Sequence, residues 1–128
     1  MKRLWGVLTV AIFALTGCGD EGPVGPGSLT GIVESELSTA VGAVVVDLDG
    51  VGFVGVQALG TARAVLVGAL DIDTHRIIFL ATQAGPIRFT VDVEDRSVAN
   101  LNLTVVEAAG LDNLPIASTD GITARMIR

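Results

Sequence analysis

The chain has 128 residues, half of them hydrophobic, a length that fits a single domain with its own core. Its formal net charge of −6 argues against nucleic-acid binding, because that function requires clustered lysine and arginine. A single cysteine excludes an intramolecular disulfide, and a single histidine is poor material for a zinc site.

The N-terminal segment predicts a cleaved signal helix. Met1-Lys2-Arg3 forms a short basic start, and residues 4–15 are apolar apart from Gly6 and Thr9. This apolar run is well short of the roughly 20 residues that a membrane-spanning helix needs. A short membrane anchor or a buried core helix remains the alternative interpretation.

The next four residues carry a more specific pattern. Leu15-Thr16-Gly17-Cys18 resembles the lipobox of bacterial lipoproteins, in which small residues precede an invariant cysteine. In that family the thiol receives diacylglycerol, the signal peptide is cut before the cysteine, and the new amino group is acylated with a fatty acid such as palmitate. The resemblance implies that residues 1–17 are a signal peptide, that Leu15, Thr16 and Gly17 are recognised by the signal peptidase, and that Cys18 is lipidated. A thiolate is the side-chain nucleophile best suited to forming such a thioether.

Residues 18–28 are predicted to be the lipidated cysteine and a flexible tether rich in glycine and proline. Removal of the signal leaves six arginines and 14 acidic residues, a formal charge of −8, so the membrane link would be the covalent lipid alone. Gly19 follows the cysteine, where an aspartate can signal inner-membrane retention in the lipoprotein family. The resemblance therefore favours the outer membrane over the cell membrane, with the domain facing the periplasm or the exterior.

Residues 29–128 predict an all-β domain, a single antiparallel β-sandwich of seven or eight strands. The segment 87–94 alternates strictly between apolar and polar residues, as expected of a strand with one solvated face. Three runs are apolar on both faces and predict central strands covered on both sides: 43–46, 64–67 and 77–81. Further strands are predicted at 29–34, 51–56, 101–105 and 122–126. Asp49-Gly50 predicts a hairpin, and residues 34–41 fit either one helical turn or a loop.

The order of these strands is similar to that of bacterial sandwiches of the cohesin and carbohydrate-binding-module family. The likeness spans about residues 42–126 and depends on phrases such as GAVVVDLDG, HRIIFLA and GPIRFTVDVED. It implies a cohesin-like or immunoglobulin-like sandwich. It transfers no binding residue to this chain.

Candidate chemistry is sparse. Asp73-Thr74-His75 offers a carboxylate and an imidazole on one face of a strand, but no nucleophile motif accompanies them, so we predict a polar hairpin and no catalytic residue. Acidic pairs provide the oxygen ligands that calcium prefers, and the candidate ligands are Asp47, Asp49, Asp71 and Asp73. None of the pairs continues as a complete calcium-loop motif, and no cofactor is predicted.

The predicted function is that of a non-enzymatic structural or protein-interaction module held at the membrane. A partner or a second copy would cover a sheet face or edge, because several runs are apolar on both faces; a simple core is the alternative explanation. The other functions left open are a calcium-dependent adhesion or assembly domain, a carbohydrate-binding domain and, third, a hydrolase. Sugar binding needs exposed rings, whereas Phe53, Phe79 and Phe89 lie in apolar runs that predict core positions.

Overall fold

The computed structural model describes residues 24–97 and 99–127, and within them every regular element is a β-strand. The predicted signal peptide, Cys18 and the first tether residues lie outside the described residues. No helix in the described part of the chain is long and apolar enough to cross a membrane. The eight strands are β1 (Gly27–Ser35), β2 (Val41–Asp49), β3 (Phe53–Ala58), β4 (Arg63–Ala69), β5 (Thr74–Leu80), β6 (Ile87–Val93), β7 (Asn102–Gly110) and β8 (Ile122–Met126).

The strands form two four-stranded antiparallel sheets packed as a sandwich, which confirms the predicted fold class. Sheet A has the order β3-β6-β1-β8, and sheet B has the order β4-β5-β2-β7. Every connection between these strands passes from one sheet to the other, except the β4–β5 hairpin.

The hairpin predicted at Asp49-Gly50 is wrong. The strands that flank it, β2 and β3, belong to different sheets, and the loop between them is bonded to both. The Gly50 N–H donates to the Asp73 carbonyl at 2.9 Å, and the Gly52 carbonyl accepts from the Glu94 N–H at 2.8 Å. Gly52 has a φ of 86°, which glycine adopts without strain. The turn residues identify where the chain reverses, but the tertiary structure decides where the next strand pairs.

The core lies between the sheets and is built from alternate residues of the central strands. Strand β6 buries Ile87, Phe89, Val91 and Val93, as its alternation predicts. The facing residues of sheet B are equally buried: Val44, Val46, Leu48, Ile77 and Phe79. The rings of Phe79 and Phe89 meet across the sandwich with their centroids 4.5 Å apart.

The Phe89 ring is accommodated by a glycine on the neighbouring strand. Gly31 pairs with Phe89 in the β1–β6 register, and a Cβ at position 31 would collide with the ring. Each fully buried phenylalanine contributes roughly 1.5–3 kcal/mol of burial free energy. The absence of a side chain at Gly31 therefore leaves room for the Phe89 ring, which meets Phe79 of the other sheet.

Two further expectations differ from the structure. The run 64–67 was expected in a central strand, yet β4 is an edge strand of sheet B, and Val65, Leu66 and Val67 are 46%, 46% and 56% exposed. Strand β1 begins at Gly27, two residues before the predicted start, because Gly27 and Ser28 pair with Val93 and Asp92 of β6. Residues 36–40 form a loop, which is one of the two alternatives that the sequence left open for residues 34–41.

Candidate functional surface

The outward face of sheet A is polar. On its two central strands, Ser28 pairs with Asp92 and Thr30 pairs with Thr90, and the Ser28 hydroxyl donates to the Asp92 carboxylate. Ile32 also points outward, yet it is only 3% exposed because its neighbours on that face are Arg88 and Arg125. The alkyl parts of long arginine side chains commonly cover apolar surface in this way. Sheet A therefore presents hydroxyls and charges to solvent.

The outward face of sheet B is apolar over the half nearest the start of β2. Val45 pairs with Ile78, which in turn pairs with Val65, so three β-branched side chains form one row over three strands. Glu107 of β7 ends this row beside Val45. The adjacent row places Ala43 beside Leu80, which is exposed. We call these five apolar residues the apolar face. No strand of the described residues packs over it, since both sheets use their other face for the core.

A paired charge borders the apolar face. Arg76 and Asp47 are cross-strand neighbours on the same side of sheet B, and the guanidinium donates twice to the carboxylate, at 2.8 and 3.0 Å. These hydrogen bonds hold the pKa of Asp47 below its ordinary value against the opposing effect of burial, while the pKa of Arg76 is raised. The bidentate geometry fixes both side chains, so the pair separates the apolar half of the face from its polar half.

The four acidic residues considered as calcium ligands are distributed along one end of sheet B. Asp47 is engaged by Arg76, and Asp49 accepts a hydrogen bond from the Thr74 hydroxyl. Asp71 accepts the backbone N–H of Asp73 at 2.9 Å and so stabilises the β4–β5 turn. In the described ranges, no three His, Cys, Asp or Glu side chains come together in a group that would hold a metal ion.

His75 is positioned by the core and is not paired with Asp73. It lies opposite Leu48 in the β2–β5 register, and its ring packs against Phe53 with centroids 4.4 Å apart. Its Nδ1 atom is buried and has no hydrogen-bond partner among the described residues. The inferred role of this imidazole is to close the space between β5 and β3 at one end of the sandwich.

A second set of contacts holds the beginning of the domain. The Asp95 carboxylate accepts the Gly25 N–H at 3.1 Å, and the Arg96 N–H donates to the Gly25 carbonyl at 2.9 Å. The Arg96 guanidinium also donates to the Val24 carbonyl at 3.0 Å. We call this set of contacts the β1 latch. Hydrogen bonds from the Ser97 hydroxyl and N–H, and then from Gly25, lower the pKa of Asp95. The latch binds the chain immediately before it enters sheet A.

The end of the sandwich next to the latch is acidic. Strand β1 starts beside the last residue of β6, and the β2–β3 loop and the β4–β5 turn reach the same end through the contacts of Gly50 and Gly52. The carboxylates there are Asp49, Asp71, Asp73, Glu94 and Asp95. Contact of this end with anionic lipid headgroups is disfavoured by repulsion between like charges.

Sequence reasoning missed the β1 latch. Asp95-Arg96-Ser97 is a recognisable turn pattern, because an aspartate commonly accepts the N–H two residues on, as it does here at 3.0 Å. Nothing in the sequence connects this turn to Gly25, 70 positions earlier. The apolar face was detectable as runs that are apolar on both sides.

No protein-family model matches the chain, and neither the curated proteins nor the solved structures include a significantly similar one.

Proposed function

We propose that the protein is a lipid-anchored cell-envelope lipoprotein whose β-sandwich is a non-enzymatic structural or protein-interaction module. The lipid would be attached to Cys18 after removal of residues 1–17, and the anchor would hold the domain at the cell membrane or outer membrane. The domain would face the periplasm or the exterior. Support for the anchor comes from the sequence pattern, and support for the interaction role comes from the apolar face.

The observation that carries the interaction role is the contrast between the two outward faces. A sandwich of two sheets needs one apolar face on each sheet, and sheet A conforms, with Thr30, Thr90 and Arg88 on its outward side. Sheet B adds Val45, Ile78 and Val65 on its outward side, where they contribute nothing to the core between the sheets. Contiguous exposed apolar surface on a small domain is typical of a binding site.

The geometry of the domain start fits a short connection to a membrane. The β1 latch binds the chain at Val24 and Gly25. Six residue steps separate Cys18 from Val24, and a chain of that length spans at most about 20 Å. The sandwich would therefore be held close to the lipid surface, and its acidic end would not adhere to anionic headgroups.

The non-enzymatic part of the proposal is supported by the surroundings of His75. An imidazole that acts as a general base needs a nucleophile on one nitrogen and an orienting group on the other. The His75 ring contacts Phe53, and its Nδ1 atom has no partner in the described part of the chain.

Mass spectrometry of the mature N-terminus, combined with membrane fractionation, tests the anchor. The wild-type chain should begin at Cys18, carry the lipid mass and sediment with membranes. Cys18→Ala should leave an uncut precursor without lipid. Asp20→Asn is the matched control, since it changes a charge two residues away while keeping the lipobox, and it should keep the lipid mass. An unchanged lipid mass in Cys18→Ala would overturn the proposed anchor.

The interaction role is tested by placing a charge on one outward face at a time. Ile78→Lys introduces a charge into the apolar face, whereas Thr90→Lys makes the same change on sheet A. In-cell crosslinking of the wild-type chain should give discrete adducts that Ile78→Lys loses and Thr90→Lys retains. Adducts that survive Ile78→Lys at full yield would contradict the use of this face.

A further inference from the structure

The loops at the latch end of the sandwich carry exposed aliphatic side chains at their tips. Ile72, in the β4–β5 turn, is 91% exposed, and Val51, in the β2–β3 loop, is 67% exposed. Leu70 begins the same turn as Ile72 and is 53% exposed. We call these three residues the apolar tips. Single exposed apolar residues are normal on a protein surface, whereas several of them on neighbouring loops at one end indicate a contact surface.

Ordered turns present the apolar tips. The Asp73 N–H donates to the Asp71 carboxylate at 2.9 Å, which closes the turn around Ile72. The Gly50 N–H donates to the Asp73 carbonyl at 2.9 Å, which ties the β2–β3 loop to the β4–β5 turn. Backbone groups that are paired within the protein approach an apolar phase at a lower cost than unpaired ones. The two loops therefore form one unit that can offer aliphatic side chains to such a phase.

The place where the chain enters the domain selects a lipid surface as the occupant. The β1 latch binds the chain at Val24 and Gly25, at the same end as the apolar tips. With the lipid on Cys18, the intervening chain spans at most about 20 Å, so this end lies next to the membrane. The opposite end lies about 30 Å further away, the length of the nine residues of β7.

The charges around the apolar tips define the kind of lipid surface. Asp71 and Asp73 flank Ile72, Asp49 precedes the β2–β3 loop, and all three carboxylates are exposed. Anionic headgroups repel them. The ammonium group of a zwitterionic headgroup instead attracts a carboxylate and, in ethanolamine, donates hydrogen bonds to it. The same carboxylates limit the depth of insertion, because a charge is costly inside the hydrocarbon region.

We infer that the latch end of the sandwich docks on the zwitterionic lipid surface to which the chain is anchored, with Ile72 and Val51 inserted among the headgroups. This inference rests on the proposed anchor and gives the anchored domain an orientation. One or two aliphatic side chains bind a membrane weakly, but a short tether raises their effective concentration at the surface. The sandwich then stands on its latch end, and the apolar face, which lies toward the opposite end, stays accessible.

A tryptophan at one of the apolar tips tests the docking by fluorescence. The sequence has a single tryptophan, Trp5, so Ile72→Trp is combined with Trp5→Phe to leave one reporter whether or not the signal is cut. The full chain is purified from membranes and reconstituted into vesicles of phosphatidylethanolamine and phosphatidylcholine with brominated acyl chains. The emission of Ile72→Trp should shift to the blue and lose intensity, because bromine quenches tryptophans that approach the acyl chains.

Leu114→Trp in the same background is the matched control. Leu114 is 64% exposed in the turn that follows β7, at the opposite end of the sandwich, and the emission of this variant should stay unquenched. Quenching of Ile72→Trp no greater than that of Leu114→Trp would overturn the inference. The lipid mass on Cys18, measured on the same sample, separates the two proposals. A lipidated chain with unquenched Ile72→Trp refutes the docking alone, and a quenched chain without lipid refutes the anchor alone.

The lipid charge tests the choice of a zwitterionic surface. Replacing part of the lipid by brominated phosphatidylglycerol should reduce the quenching of Ile72→Trp, because like charges repel. Adding Asp73→Asn should restore part of the quenching. Asp73 is chosen because the Asp71 carboxylate stabilises the turn. Equal quenching on the two surfaces would contradict the selection of zwitterionic headgroups.

Photo-crosslinking of the wild-type chain gives a readout that does not depend on a reporter residue. The chain is reconstituted with a zwitterionic lipid that carries a diazirine in its acyl chain and is then cleaved after arginine. This cleavage isolates the β4–β5 turn in residues 64–76 and Leu114 in residues 97–125. Adducts should form on 64–76, should be reduced by Ile72→Ser and should be unchanged by Leu114→Ser. Adducts as abundant on 97–125 as on 64–76 would overturn the inference.

Discussion

The two sheets share one core but present different surfaces to solvent. Strand β6 alternates, so each inward apolar residue such as Phe89 has a polar neighbour such as Arg88 on the other face, and Ile32, which β1 turns outward, is covered by arginine side chains. Strands β2 and β5 do not alternate at one end, and Val45 and Ile78 point away from the core. The shared core explains why both sheets have an apolar inner face. It does not explain the apolar outer face of sheet B, on which the proposed interaction role depends.

The cooperative unfolding of the core should not depend on the difference between the two outer faces. Phe89→Ala removes the ring that meets Phe79 and leaves a cavity above Gly31, and such a substitution costs about 3–5 kcal/mol. Because both sheets contact this ring, they should unfold together, with a single transition in chemical denaturation followed by circular dichroism. Two separate transitions would show that the sheets are independently stable.

The charged pairs of the two outer faces should differ in strength. Asp47→Ala removes two hydrogen bonds from Arg76 and leaves a partly covered guanidinium without its partner. Glu34→Ala removes a single 3.4 Å contact with Arg125 between more exposed side chains. Asp47→Ala should therefore lower the urea midpoint at least about twice as much as Glu34→Ala, since exposed ion pairs contribute little. Equal midpoints would contradict this ranking.

Acid should loosen one site on each sheet. The pKa values of Asp47 and Asp95 are both lowered in the folded chain. Each ionised carboxylate therefore stabilises the fold at pH values above its ordinary pKa of 3.8. That stability is lost as the pH falls from about 4 through the folded pKa values. Below pH 4 the Gly25 amide, held by Asp95, should exchange faster relative to core amides.

Asp95→Asn is the control for the acid effect, because an amide does not titrate in this range. The relative exchange rate of Gly25 in this variant should be independent of pH between 5 and 3 (about the range in which the carboxylate titrates). A pH dependence like that of the wild type would show that titration of the Asp95 carboxylate does not cause the acid effect.

The smallest expected change in stability comes from a substitution on the apolar face. Ile78→Thr keeps a β-branched residue in β5 and should change stability by no more than about 1 kcal/mol, because the side chain is only half-buried. It should nevertheless reduce the binding of a hydrophobic dye. Thr90→Val on sheet A is the reverse change and should raise dye binding. Unaltered dye binding in both variants would remove the distinction between the two outer faces.

The sequence by itself determined the strands of this protein. The alternation in 87–94 located β6 and its inward residues, and turn residues located most of the breaks, because strand periodicity and turn chemistry are local properties. Its apolar runs also indicated that one sheet has two apolar faces, and its N-terminal pattern predicted an anchor at Cys18.

Only the tertiary structure decided which strands are neighbours. It placed β4 at an edge, assigned β2 and β3 to different sheets, and brought Asp95 to Gly25 across 70 positions. Pairing partners are chosen by the packing of whole strands on a common core, a nonlocal property that no short window of sequence contains. The apolar face, and the end of the sandwich that the β1 latch shares with the apolar tips, follow from that choice, and the proposed interactions depend on them.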